Sequence, residues 1–127
     1  MNEWRIGQVA EQTGLSARAI RYYEKLGLAR ASTRSGGGYR LYSDSDVRRL
    51  VLVRDMRTLD FPLAEMRELL STIDGLTSPD DRRAGATPER LRELQLAIDA
   101  RCDDLSRRLT GSLEFAARLE RIARASS

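Results

Sequence analysis

The hydrophobic pattern near the N-terminus predicts two short helices. The first covers about residues 7–13, and the string Gly14-Leu15-Ser16 then supplies a turn and an N-cap for the next helix. The second covers about residues 17–26, and Gly27 ends it. Two short helices joined by a tight glycine turn are typical of a helix-turn-helix. The apolar positions available for its small core are Ile6, Val9, Ala10, Leu15, Ile20, Tyr23 and Leu26.

Residues 34–42 have the pattern of a β-hairpin. Three glycines, Gly36 to Gly38, stand where a tight tip would lie, and residues 39–42 then alternate between two faces of a returning strand. A flexible linker is the other interpretation, but linkers seldom resume with such regular alternation. The segment therefore predicts a wing beside the helix-turn-helix.

Two further helices are predicted before residue 75. Ser43, followed by acidic residues, starts the third, which extends to about Leu59. Pro62 lies near the first position of the fourth. The segment from Gly75 to Pro88 is predicted to be a loop and hinge, because it carries Pro79, Asp80, Asp81 and Gly85.

One long helix is predicted after Pro88. Its apolar positions form a narrow stripe, which either the rest of the chain or a second copy must cover. The three- and four-residue steps between these positions predict a nearly straight helix. Thr110-Gly111-Ser112 is expected to weaken the helix before a short closing segment. The stripe, which we propose as a dimerisation seam, consists of Leu91, Leu94, Ile98, Cys102, Leu105 and Leu109.

Charge is distributed unevenly along the chain. Residues 1–57 hold eleven Lys/Arg against six Asp/Glu, whereas residues 58–127 hold eleven against thirteen. A basic head joined to a mildly acidic tail is typical of a phosphate-binding module with an assembly element. The single cysteine excludes an intrachain disulfide, and no apolar run approaches the roughly 18 residues of a membrane span. We therefore expect a cytoplasmic protein.

The second predicted helix and the wing carry the candidate DNA contacts. Arg18 lies in the first turn, where a recognition helix meets base edges. Arg21 and Tyr22 are better placed for phosphate, and Glu24 is expected to pair with a neighbouring arginine. Tyr23 is expected in the core. The full set of predicted DNA contacts is Arg18, Arg21, Tyr22, Lys25, Gly37, Gly38, Tyr39, Arg40 and Arg57.

Four strings in the chain resemble the MerR family of bacterial regulators over about residues 4–73. They are Ile6-Gly7-Gln8-Val9-Ala10, Ile20-Arg21-Tyr22-Tyr23-Glu24-Lys25-Leu26-Gly27-Leu28, Gly38-Tyr39-Arg40-Leu41-Tyr42 and Leu59-Asp60-Phe61-Pro62-Leu63. The resemblance implies a winged helix-turn-helix on an antiparallel dimeric coiled coil. It also implies a homodimer that binds an inverted repeat in promoter DNA and distorts it, so that RNA polymerase engages both promoter elements.

The same resemblance assigns roles to matching positions. Arg18 would read bases, and Arg21, Tyr22, the wing from Gly38 to Arg40 and Arg57 would hold the DNA backbone.

The chain departs from the sensing members of that family. It has no histidine and one cysteine, so it offers no metal-binding set and no cofactor is expected. Asp55 lies near the place where stress-sensing members keep a cysteine, and no ligand-binding domain is expected after Leu109. Cys102 is expected to be a small buried hydrophobe rather than a redox switch. The effector, if one exists, is unidentified.

These patterns predict a mainly α fold: a winged helix-turn-helix DNA-binding domain over residues 1–75, a hinge over 76–88, and a dimerisation helix with a short closing segment over 89–127. The alternative to a promoter regulator is a DNA-architectural or excisionase-like protein without promoter control. An enzyme is not expected, because histidine is absent and the three wing glycines lack the spacing of a phosphate-binding loop.

Overall fold

The computed structural model describes residues 2–78 and 85–127. It is mainly helical, with one small antiparallel sheet of three strands. No helix in the described part of the chain is both long and apolar enough to cross a membrane. The elements are β1 (Glu3–Trp4), α1 (Ile6–Thr13), α2 (Ala17–Lys25), β2 (Thr33–Arg34), β3 (Arg40–Ser43), α3 (Asp44–Thr58), α4 (Leu63–Thr77) and α5 (Pro88–Ala125). The predicted fold class, a winged helix-turn-helix followed by a long helix, is confirmed.

The ends of the first three helices follow from local chemistry. Gly14 ends α1 with a positive φ of 75°, which glycine adopts without strain. Ser16 then caps α2, because its hydroxyl accepts the backbone N–H of Ala19 at 3.0 Å. At α3, Ser43 and Asp46 each accept the other's backbone N–H, which completes a capping box.

The sheet contains one strand that the sequence pattern did not predict. β1 pairs with β3, placing Trp4 opposite Tyr42, and β2 pairs with the other edge of β3. The indole N–H of Trp4 also donates to Asp44 at 2.8 Å. A strand of two residues is too short to show alternation, and its partner lies about forty residues away, so no local pattern could reveal it.

A single core lies between α1–α4 and the sheet. Arg49 of α3 and Arg67 of α4 reach from this body to the end of α2, donating to the carbonyl oxygens of Leu28 at 2.7 Å and Leu26 at 2.6 Å. The end of α2 is therefore fixed to the two helices that follow it. The buried apolar residues are Val9, Ile20, Tyr23, Leu28, Ala29, Tyr42, Leu50, Val53, Met56, Phe61, Met66, Leu69 and Leu70.

The predicted hinge is wrong at its start, and the predicted weakening of the last helix is also wrong. α4 continues through Gly75 to Thr77, and Pro79, Asp80 and Asp81 lie outside the described residues. α5 is continuous across Gly111 to its end. A glycine costs about 1 kcal/mol in a helix interior, and the many good helix formers of this 38-residue segment outweigh it. The domain boundaries themselves stay a prediction.

The predicted seam of α5 divides in two. Leu91, Leu94 and Ile98 are half-buried against the core of the same chain. Next to them the guanidinium of Arg101 lies 4.4 Å from the ring centroid of Phe61. Arg101 also pairs with Glu65 of α4, and Arg90 pairs with Glu68. The later positions, Cys102, Leu105 and Leu109, are exposed, so the expectation that Cys102 is buried is wrong for the single chain.

Candidate nucleic-acid interface

One face of α2 is polar, cationic and exposed. Arg18, Arg21, Tyr22 and Lys25 are spaced at i, i+3, i+4 and i+7, which places them together on a helix surface. Tyr22 is 52% exposed, although its ring lies 6.0 Å from the buried ring of Tyr23. Tyr23 lies in the core, as predicted. The opposite face of α2 packs into the core, so the cationic face is exposed to solvent.

The wing tip is a tight turn closed by backbone hydrogen bonds. The N–H of Ser35 donates to the carbonyl of Tyr39 at 2.8 Å, and Gly38 has a φ of 82°. A side chain at Gly37 would come within 3.2 Å of the Tyr39 ring. Both glycines therefore keep the tip narrow, and the space beside Gly38 is open, since an added Cβ there would meet nothing within 4 Å.

Arg5 is a candidate contact that the sequence analysis missed. Its guanidinium lies 4.5 Å from the ring centroid of Tyr39, which is 57% exposed. The pair joins the start of α1 to the wing tip and adds a cation beside the predicted contacts Gly38 and Tyr39. Arg5 and Tyr39 are far apart in the sequence, so no spacing rule could have found the contact.

A basic cleft of about 550 Å³ lies between α2 and the wing. Two of its cations, Arg30 and Arg34, were not among the predicted contacts. Arg34 donates to the carbonyl of Gly38 at 3.2 Å, so it also supports the tip. Several guanidinium and ammonium groups around one opening favour an anion. The charged residues lining the cleft are Arg21, Glu24, Lys25, Arg30, Arg34 and Arg40.

Glu24 is the one carboxylate in this cleft, and its predicted pairing with an arginine is confirmed. Its Oε2 lies 3.1 Å from Nε of Arg40, and the hydroxyl of Tyr42 donates to its Oε1. Burial raises the pKa of Tyr42 well above its usual value, and the hydrogen bond to Glu24 raises that pKa further. The phenol therefore stays protonated and keeps donating.

The remaining predicted contact, Arg57, lies in the last turn of α3 and is exposed. No carboxylate in residues 2–78 or 85–127 pairs with its guanidinium. Over the same residues there is no group of three or more His, Cys, Asp or Glu side chains that could hold a metal ion.

Family models place the chain among known regulators. The model described as "MerR HTH family regulatory protein" matches residues 4–73, and that described as "MerR, DNA binding" matches residues 47–111. The HTH-type transcriptional regulator ZntR of Escherichia coli is 40% identical over 96 residues, covering 75% of this chain and 68% of the relative.

Solved structures share the fold. A MerR-family transcriptional regulator from Bacillus thuringiensis superposes with a TM-score of 0.72 at 21% identity, covering 92% of this chain and 96% of that one. HiNmlR, a MerR family regulator lacking the sensor domain and bound to promoter DNA, gives a TM-score of 0.65 at 18% identity, covering 94% and 86%. The family consists of transcription factors rather than enzymes. By the extent of these matches, the chain belongs to the MerR family of DNA-binding transcription regulators.

Proposed function

We propose that this chain binds an inverted repeat in promoter DNA as a homodimer and distorts that DNA to control transcription initiation. The observation that carries the proposal is the continuous cationic surface formed by the exposed face of α2, the basic cleft and the wing tip. A promoter complex of HiNmlR, which has the same fold, supports DNA of this kind as the ligand.

The proposed DNA contacts fall into two groups, those that reach bases in the groove and those that hold the phosphate backbone. Arg18, in the first turn of α2, reads base edges in the major groove. Arg21, Tyr22 and Lys25 lie farther along the same face and hold phosphates. Gly37, Gly38 and Tyr39 bring the wing tip to the DNA backbone, and Arg57, in the last turn of α3, holds the DNA backbone as well.

The exposed part of α5 supports the homodimer. With 38 residues, the helix is about 57 Å long at 1.5 Å per residue, yet none of its residues is buried in the single chain. A row of large apolar side chains on a soluble helix is stable only when another surface covers it. An antiparallel copy of α5 offers the same row in return. The exposed apolar residues beyond Ile98 are Leu105, Leu109, Leu113, Phe115, Leu119 and Ile122.

RNA polymerase at the distorted promoter is the partner that such a regulator requires. The regulator works in the bacterial cytoplasm, where promoter DNA lies.

A nuclease footprint on the DNA upstream of the protein's own gene tests the proposal. We expect a protected inverted repeat between the two promoter elements, with enhanced cleavage at its centre where the duplex is distorted. Stepwise addition of salt should weaken protection gradually while the boundaries stay fixed.

Protection that spreads without sequence preference and disappears with modest salt would contradict the proposal, because only the general phosphate attraction would remain. If the protein binds specifically, without enhanced cleavage at the centre of the site and without a change in transcription, it is a DNA-architectural protein.

A further inference from the structure

A carboxylate on the recognition helix grips the wing at two points. Glu24 lies near the end of α2, whereas Arg40 and Tyr42 lie on the same face of β3, two residues apart. Each carboxylate oxygen has its own partner: Oε2 pairs with Arg40, and Oε1 accepts the hydroxyl of Tyr42. The Glu24 side chain is only 13% exposed. We call these three residues the Glu24 clasp.

The clasp changes the role of Arg40. A guanidinium that faces a carboxylate at 3.1 Å has its charge compensated, so it attracts phosphate less than a free arginine. Arg21, Lys25 and Arg30, which line the same cleft, have no carboxylate partner in the described parts of the chain. Glu24 thus removes one cation from the binding surface, at a place where negative charge by itself disfavours DNA.

The lower affinity for DNA that Glu24 causes is explained if the clasp makes the protein discriminate better between operator and other DNA. The recognition helix and the wing must meet the duplex together, and β3 bears the wing while α2 bears Arg18. A wing held at a fixed distance from α2 engages only when the helix is seated in its groove. A loose wing would contact phosphates on any sequence.

We propose that Glu24 is a positioning residue that fixes the wing against the recognition helix. Its pairing with Arg40 removes one phosphate contact from the surface, and the fixed wing increases discrimination between operator and other DNA. This inference rests on the proposed function, since it refines how the same surface reads DNA.

The test compares variants that separate charge from geometry. Glu24→Gln frees Arg40, so the slope of log K against log salt concentration should steepen by up to about 0.9, the value of one additional phosphate. The double variant Glu24→Gln/Arg40→Gln has the net charge of the original protein, so its slope should stay unchanged. Its preference for operator over unrelated DNA should nevertheless fall at least about tenfold.

Two further variants serve as controls. Glu11→Gln removes one negative charge from the exposed part of α1 beside the wing tip and leaves the clasp intact, so it should preserve the preference for operator DNA. Tyr42→Phe removes one hydrogen bond without changing charge, so it should lower the preference while leaving the salt slope unchanged. Thermal unfolding of each variant identifies any that fail to fold.

The DNA-free protein provides an independent measurement. Hydrogen exchange at the hairpin amides, including Ser35, should accelerate in the double variant and in Tyr42→Phe but not in Glu11→Gln. A double variant that discriminates as well as the original protein, with unchanged exchange, would overturn the proposal. If the original protein itself has no sequence preference, the proposed function fails, and the exchange rates still decide whether the clasp holds the wing.

Discussion

On α2, neighbouring residues differ in burial: some pack into the core and others face solvent. Ile20 and Tyr23 are buried, whereas Arg21 and Tyr22 are exposed between them. This alternation follows from the helical period, and the sequence was sufficient to predict it. The same reasoning gave the correct partner type for Glu24, because a carboxylate among cations pairs with one of them.

Removing the arginine assigned to base reading gives the first prediction. Arg18→Ala should weaken operator binding by about 1–3 kcal/mol and relax base preference at one position in each half-site. Binding competition against a library of operator variants measures both effects. Arg107→Ala, which removes the same charge from an exposed position on α5, should leave the preference intact. An equal loss on every sequence would show that Arg18 contacts only phosphate.

The core residue Leu50 gives the second prediction. Leu50 is fully buried at the centre of the head, whereas Leu96 is 68% exposed on α5. Leu50→Ala should lower the free energy of unfolding by about 2–5 kcal/mol, because it leaves a cavity in a packed core. Leu96→Ala should change it by less than about 0.5 kcal/mol. Urea unfolding followed by circular dichroism measures both, and equal losses would mean that Leu50 is not part of a packed core.

At the scale of elements, α1, α2 and α3 were predictable because caps and glycines mark their ends. β1 was not, since its pairing with β3 is entirely long-range. The predicted start of the loop at Gly75 and the predicted weak point at Gly111 both lie inside helices. Thr110 and Ser112 beside Gly111 are weak helix formers too, but the long runs of Leu, Arg, Glu and Ala on both sides of them keep α5 continuous.

Because only the later part of the α5 seam is exposed, substitutions that test dimerisation belong in that part. Aspartate at Leu94 or Ile98 would also disturb the head, because both residues contact its core. Leu105→Asp/Leu109→Asp places charges only on the exposed part of the seam. This double variant should therefore be a folded monomer in sedimentation equilibrium at low micromolar concentration.

Leu96→Asp is the matched control, because Leu96 is exposed on the side of α5 away from the seam. It should leave the dimer unchanged. Cys102 should react with a bulky maleimide more slowly in the dimer than in the monomeric variant. Dimers that persist in Leu105→Asp/Leu109→Asp would place the interface elsewhere.

Across the whole molecule, the connection between the head and α5 decides where a second head would lie. Leu91, Leu94 and Ile98 supply the apolar part of that contact, and Arg101 ties α5 to Glu65 and Phe61. The sequence indicated that the stripe needed cover, from the head or from another copy. It could not show that the cover by the head ends near residue 101, because this depends on how α4 lies against α5.

Arg101→Ala tests this connection. The ion pair is partly exposed, so the free energy of unfolding should fall by no more than about 1 kcal/mol. A small change in the angle between the head and α5 moves the far end of α5 by a larger distance. The enhanced cleavage at the operator centre and the promoter output should therefore fall more than the affinity for the operator. Arg108→Ala, which breaks a pair with Asp104 within α5, is the control. Equal output from both variants would contradict a role for Arg101 in setting the angle.

The attachment of α2 has a consequence for how new targets arise in evolution. Arg49 and Arg67 hold the segment directly after α2 by two of its backbone carbonyls, and the core holds the helix itself by Ile20 and Tyr23. None of these contacts uses the exposed side chains for which we propose a contact with DNA. A duplicated copy of the gene can therefore exchange the outer residues of one helix and acquire a different operator, while the fold that carries the helix is inherited unchanged.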